Sequence, residues 1–328
     1  MTGADFEVRR ALPDDLPGIL AVARQSLGWV GGDEDARFFH WKHHESPFGE
    51  SPMWVALDGT RVIGLRTFLR WQLEWPDGSS VAAVRAVDTA TDPAHRGRGI
   101  FTRLTTQAIE ELRAEGVDLV FNTPNQQSLP GYLKMGWSVV GRLGAAIMLT
   151  RAGSLLSLAS ARRPASQSAV ETRVGEPAAD VFVDRGAIED LLAMQPHRSG
   201  LATLRSPAFL AWRYGYKPLG YRVFLSPTSP VDGLAVFRLR HRGNAIEAAV
   251  CDVLVPRGDP AKVRVLMRGL ARVTGADYLI RLSQAFASPG PFIRVPRVGP
   301  MLTCRPLHDH QVPRLAQWDL SMGDVEML

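Results

Sequence analysis

At 328 residues, 45% hydrophobic and 22% charged, the chain exceeds one ordinary domain and carries enough apolar mass for a large core, which excludes a disordered tail or a small disulfide scaffold. No apolar run reaches ~20 residues and the N-terminus lacks a basic stretch leading into an apolar one, so neither a membrane span nor a signal peptide is expected, and the expected location is cytoplasmic. The formal net charge is +5, and the two cysteines, Cys251 and Cys304, have no paired Cys or His spacing, so we expect no disulfide framework and no metal site.

In chain order, Phe6 to Ala11 reads as a first strand running into a helix at Pro13-Asp14-Asp15-Leu16, which Asp14 or Asp15 can cap. A helical segment follows around Phe38 to Lys42. Met53 to Leu57, Asp58-Gly59 and Val62 to Leu69 read as a hairpin, with Asp-Gly supplying a type I′ turn. After a turn at Pro76-Asp77-Gly78, a third antiparallel strand ends near Ala90. Thr91 to Phe101 forms a glycine-rich turn, Thr102 to Ala114 a helix, and Leu119-Val120-Phe121 a fifth strand. A further helix and strand complete a mixed α/β domain up to about residue 150.

The turn reads as a phosphate cradle. Pro93 ends the strand because it lacks an N–H, and Gly97 and Gly99 let successive N–H groups point into one concavity. The following helix aims its positive end at the same point, and Arg96 and Arg98 add charge. No Gly-Lys-Ser or Gly-Lys-Thr follows and a third glycine is missing, which disfavours nucleoside triphosphates and NAD.

The same segment resembles the acyl-CoA loop of the GNAT superfamily of N-acetyltransferases, whose pattern is Arg or Gln, two residues, Gly, one residue, then Gly or Ala. Arg96, Gly99 and Phe101 fall on these positions, Phe101 being larger than the pattern expects. Asn125, Ser128, Tyr132 and Gly136-Trp137 match the family's downstream spacing. The resemblance implies acetyl-CoA, or another acyl-CoA, as co-substrate. It would be held by Thr89, Ala90, Thr91, Arg96, Gly97, Arg98, Gly99, Ile100, Phe101, Asn125 and Ser128, in the splay between the fourth and fifth strands. It also implies Tyr132 as the general acid that protonates the departing thiolate, whose pKa is ~8.5. Asp88 is the candidate base. Period-two alternation turns it away from Arg85, Val87, Thr89 and Thr91 unless a bulge shifts the register and frees an N–H near Thr89 for the thioester oxygen. His43, His44, Glu45, a water chain and the carboxylate of Leu328 are the other candidates.

From Arg151 to about Ala179 periodicity fades and Ala, Ser, Arg and Pro accumulate, which suggests a linker. Beyond it the chain repeats: Phe38, Trp41, Pro47 and Gly49 recur at constant offset as Phe209, Trp212, Pro218 and Gly220, and later strands follow in the same order. We therefore expect two GNAT-like folds in tandem, over 1–150 and 180–328 with 151–179 between them, each a mostly antiparallel twisted sheet flanked by helices. The second copy is degenerate. It reads Pro256-Arg257-Gly258-Asp259-Pro260 at the loop, with an aspartate that repels phosphate, and Gln284 to Pro289 replaces the Asn125 to Tyr132 segment. Asp252 recurs at the place of Asp88, which points to a shared structural role, while Trp41 and Trp212 read as core.

The expected activity is transfer of an acyl group to a primary amine of a small molecule, such as an amino sugar or amino acid derivative, by direct attack in a ternary complex. No membrane partner is expected. Residues 201–300 hold 15 Lys plus Arg against 5 Asp plus Glu, but these are scattered, which disfavours nucleic acid and reads as a solvated surface. The alternatives are a tRNA-dependent aminoacyl transferase, which needs no CoA cradle, and a non-catalytic acyl-CoA-binding module.

Overall fold

Strands form where apolar residues alternate or run together between Gly and Pro breaks, and helices where they recur every three or four positions. The computed structural model describes residues 6–29, 31–150, 166, 169–283, 291–309 and 311–326. The first part of the chain runs β1 (Glu7–Arg10), α1 (Leu16–Leu27), α2 (Asp33–His44), β2 (Met53–Asp58), β3 (Arg61–Glu74), β4 (Ser80–Thr91), α3 (Ile100–Ala114), β5 (Leu119–Asn122), α4 (Leu129–Lys134) and β6 (Ser138–Arg142). It continues with β7 (Ala145–Leu149), β8 (Glu176–Pro177), α5 (Ala178–Val181), α6 (Arg185–Ala193), β9 (Ala202–Thr203), α7 (Pro207–Gly215) and β10 (Arg222–Leu225). Then come β11 (Leu234–Arg242), β12 (Ala245–Leu254), α8 (Pro260–Val273), β13 (Tyr278–Leu282), β14 (Ile293–Val295), β15 (Met301–Pro306) and α9 (Met322–Val325).

These elements make two mixed α/β units. The sheet of the first has the strand order β1-β2-β3-β4-β5-β15-β6, and that of the second β14-β7-β13-β12-β11-β10-β8. In each, antiparallel pairs lead to one parallel step, β4–β5 and β12–β13, crossed by a long helix, α3 or α8. The element order of the first unit thus recurs in the second, as the repeated Phe, Trp, Pro and Gly positions predict.

The units differ from the sequential blocks 1–150 and 180–328. One comprises residues 1–73, 80–141 and 301–313, and the other 74–79, 142–300 and 314–328. Strand β7, read as the end of the first block, pairs with β13 from Leu282↔Ala145 to Tyr278↔Leu149. Strand β15 covers the free edge of β5, with Thr303 opposite Asn122 and Pro306 opposite Leu119. A local apolar pattern marks a strand but not its partner, and an exposed sheet edge accepts any strand of matching length. Most of the expected linker, 151–165 and 167–168, lies outside the described residues.

In the first unit, α3 buries Ile100, Leu104, Ala108, Ile109 and Leu112 along one stripe. Gly64 on β3 lets that stripe approach: a Cβ there would stand 2.6 Å from Ile100 Cγ2. The β2–β3 turn differs from the expected Asp58-Gly59 pair. A register shift at Ala56/Leu57 puts Asp58 opposite Arg61, so Gly59 (φ 60°) and Thr60 make the turn, and Thr60 keeps a negative φ.

Candidate active site

Strands β4 and β5 pair only through Ala83↔Leu119, Val84↔Val120 and Arg85↔Phe121, and then part. Into the opening falls a cleft of ≈ 630 Å³, lined by Val87, Asp88, Thr89 and Thr91 of β4, Asn122 at the end of β5 and Thr123 to Asn125 after it, the turn before α3, and Ser128, Gly131 and Tyr132. The whole lining belongs to the first unit.

The turn has the shape of an anion cradle. Asp92 Oδ1 accepts from the Ala94 N–H at 2.8 Å and fixes the chain as it leaves β4. Gly97 (φ 78°) and Gly99 (φ 77°) follow in left-handed conformations, and a Cβ built on either meets nothing within 4 Å. Helix α3 then starts without any side-chain cap, so its first N–H groups are left for a ligand. The second unit supplies the contrast. There Asp259 caps α8, its Oδ1 accepting from Ala261 N at 2.8 Å and Lys262 N at 3.4 Å, so a carboxylate of the chain itself fills that position.

Of the expected donor-site residues, Thr89, Thr91, Arg96, Gly97, Gly99, Ile100, Phe101, Asn125 and Ser128 all border the cleft. Two do not. Ala90 is 1% exposed and packs in the core with Ile19, Val55 and Leu65, as strand alternation next to Thr89 and Thr91 requires. Arg98 turns away from the lining, with Nη1 3.8 Å from Asp58 Oδ2 and its guanidinium 5.9 Å from the Phe6 ring. Asn125 acts within its own loop: Oδ1 accepts from Gln127 N, Ser128 N and Ser128 Oγ at 2.9–3.0 Å, which sets up the start of α4. Phe101 lies edge-on to Tyr132, 5.5 Å between ring centroids, and against Gly131, where a Cβ would come within 2.9 Å of its ring.

Tyr132 is buried, its ring held between Phe101 and Trp137. Its Oη accepts a hydrogen bond from Arg66 Nη1 at 2.9 Å, and the same nitrogen donates to Thr89 Oγ1. Arg66, absent from the sequence-derived candidates, lies within the apolar run of β3. An arginine there is the signal that marks it.

Asp88 sits in β4 with φ 33°, which interrupts the alternation, and Val87, Asp88 and Thr89 all border the cleft. Its carboxylate accepts from Lys42 Nζ at 2.9 Å and from His43 Nε2 at 2.8 Å. Burial alone would raise the Asp88 pKa, but the Lys42 charge and the His43 hydrogen bond outweigh it and hold the carboxyl well below the usual range. Burial pulls His43 below its ordinary value despite Asp88. A neutral ring that donates from Nε2 to a carboxylate has Nδ1 as acceptor, and Ser51 Oγ stands 2.9 Å from it. Lys42 and Ser51 join His43 here only because the end of α2 meets β4. His44 and Glu45 take no part: His44 stands beside Glu50 and Glu45 beside His40. Leu328 and residues 284–289 lie outside the described residues.

The second unit repeats this device. Asp252 accepts from Tyr214 Oη and from Arg205 Nη2, the latter at 2.8 Å, beside a register shift at Val236/Phe237. Tyr214 occupies the repeat position of His43. A helix donor pinning a strand aspartate is therefore common to both copies. Trp41 and Trp212 are each 6% exposed, core residues as expected.

Residues 7–140 match the model of an acetyltransferase (GNAT) domain. No curated protein sequence matches the chain. Among solved structures, it is similar to a GCN5-related N-acetyltransferase from Kribbella flavida, with 15% identity and TM-score 0.61 over 93% of this chain and 71% of that one. A GCN5-related N-acetyltransferase from Anabaena variabilis gives 13% identity and TM-score 0.61 over 93% and 73%. Eis1 from Mycobacterium abscessus gives 14% identity and TM-score 0.54 over 92% and 74%. At these identities the likeness is one of fold.

Proposed function

We propose, from the match of residues 7–140 to the model of an acetyltransferase (GNAT) domain, that this protein is an acyl-CoA-dependent N-acyltransferase that takes acetyl-CoA as donor and a primary amine of a small molecule as acceptor. The acceptor class we favour is an amino sugar or an amino acid derivative. The observation that carries the reading is a single cleft bordered by an uncapped helix start, two left-handed glycines and Tyr132.

The residues fit the donor. The open space beside Gly97 and Gly99 suits phosphate oxygens, which take the free N–H groups of the turn and the positive end of α3. Arg96 adds charge at the rim, and Asn125 and Ser128 hold the opposite wall. Acetyl-CoA supplies a thioester whose sulfur leaves readily once a proton reaches it. Tyr132 Oη delivers that proton. In balance, the amine nitrogen bonds to the acyl carbon as the C–S pair leaves on sulfur; sulfur takes the phenol proton, nitrogen loses one to water, and water restores the phenol. Asp88, kept anionic by Lys42 and His43, acts as a fixed hydrogen-bond acceptor that orients the incoming amine. Holding the two reactants together supplies much of the rate. No step calls for a metal ion.

Calorimetric titration of the protein with acetyl-CoA, CoA and NAD, alongside the Gly99→Glu variant, tests the reading. Micromolar acetyl-CoA binding that is lost in Gly99→Glu supports it and licenses a screen of amines by thiol release. No binding to either CoA species refutes it and brings tRNA-dependent transfer forward.

A further inference from the structure

Among the described residues, Arg66 has no counter-anion for its guanidinium. Its side chain is 0% exposed, and among the described residues no carboxylate pairs with it and its Nε and Nη2 have no hydrogen-bond partner. Arg205 gives the contrast, lying between Asp252 and Asp324 at 2.8 and 3.0 Å. What surrounds Arg66 instead is aromatic, with the rings of Phe68, Tyr132 and Phe101 at 4.3, 5.3 and 5.8 Å from its guanidinium carbon. Ring faces attract a cation and offset part of its desolvation without cancelling its field, as a carboxylate would.

A guanidinium stays protonated and cannot accept a hydrogen bond. Toward Nη1, therefore, the oxygens of Tyr132 and Thr89 are both acceptors. Each hydroxyl keeps its one hydrogen for another direction, and both residues border the cleft. We propose that Arg66 is a positioning residue for acyl transfer: it fixes the Tyr132 and Thr89 hydroxyls as donors into the cleft and stabilises the negative charge left on Tyr132 when its proton departs to sulfur. The inference rests on Tyr132 being the acid. Within that reading it explains why an arginine occupies a fully buried position of β3 where a leucine would pack at lower cost.

A double-mutant cycle of Arg66→Gln with Tyr132→Phe tests it, with kcat, the KM for acetyl-CoA and the melting temperature measured for each variant. Arg66→Gln is expected to lower kcat about 10–100-fold with KM for acetyl-CoA within about threefold of the parent. In the Tyr132→Phe background the same change should cost almost nothing, because the group it serves is gone. Arg66→Lys keeps the charge and should retain more turnover than Arg66→Gln; it also replaces the latter in the cycle if the glutamine variant fails to fold. Equal losses from Arg66→Gln in both backgrounds, or a change in KM and melting with kcat intact, overturn the proposal and leave the acid reading standing. An unchanged kcat in Tyr132→Phe alone removes the acid reading, and this inference falls with it.

Discussion

Gly99 and Gly116 share a backbone conformation but not a location, which makes them a matched pair for separating strain from ligand binding. Their φ values are 77° and 81°, and a Cβ on either meets nothing within 4 Å. Replacing either with alanine thus costs only the left-handed penalty of an L residue, about 1–2 kcal/mol. For a unit of this size that lowers the melting temperature by about 2–4 °C per kcal/mol. The sites differ in what the new methyl group enters. At Gly99 it projects at the start of α3 into the cleft; at Gly116 it projects beyond the far end of the same helix. If the turn cradles a phosphate, Gly99→Ala displaces oxygens from charge-assisted N–H bonds worth about 1.5–3 kcal/mol each. One lost bond weakens acetyl-CoA about 10–100-fold, since 1.4 kcal/mol is a factor of ten. Thermal melts and calorimetry on both variants give the answer. Similar melting losses with acetyl-CoA binding impaired only in Gly99→Ala is the expected result. Equal weakening in both variants, or unchanged affinity in Gly99→Ala, refutes the cradle.

Tyr132→Phe should lower kcat about 10²–10⁴-fold while calorimetry finds acetyl-CoA affinity unchanged. Asp88→Asn breaks the buried pair with Lys42 and should destabilise the protein by about 3–5 kcal/mol in urea unfolding, with any folded fraction impaired in turnover and not in donor binding. His43 gives a pH signature. The folded state keeps it neutral while the unfolded chain titrates near 6.5, so below that pH the unfolded state binds the extra proton and stability falls as the solution is acidified. The slope from this group is at most about 1.4 kcal/mol per pH unit. His43→Gln should flatten it between pH 6.5 and the folded-state pKa, whereas Asp88, whose depressed carboxyl adds stability above about pH 3.9, acts only at lower pH. Gly64→Ala should cost about 1–3 kcal/mol in a thermal melt, because its Cβ would press on Ile100 and Leu104 at 2.6 and 3.2 Å.

The left-handed glycine turn was legible in the sequence because its signal is local. Gly97 and Gly99 advertise left-handed backbone, and Asn125, Ser128 and Tyr132 sit within one turn and one short helix. The repeat was legible for the same reason, as a constant offset between rare residues. The Asp88 environment was not, since Lys42, His43 and Ser51 reach it only when α2 and the following loop fold against β4. Period-two reasoning put Asp88 away from Thr89, and the positive φ at Asp88 itself breaks that alternation. Arg66 was hidden by the average: within the run Val62 to Leu69 one charged residue hardly alters the strand pattern, yet it donates to the Tyr132 hydroxyl. Ala90 and Arg98 went to the core and to Asp58 because a motif names positions along the chain and says nothing about which way each side chain turns. The β2–β3 hairpin was legible from its turn, but the partners of β7 and β15 escaped, since those pairings join distant parts of the chain.

The covering of β5 by β15 has a consequence for synthesis. Asn122, at the mouth of the cleft, is paired by Thr303, whose hydroxyl also donates to its side-chain oxygen at 2.7 Å. About 180 residues separate the two, so a ribosome adding about 5–20 residues per second needs about 9–36 s to make the second strand after the first. Through that interval the β5 edge that β15 covers is without this partner, and the wall of the cleft lacks its outer support. The first sheet is thus completed late in translation, after every strand described for the second sheet has been made.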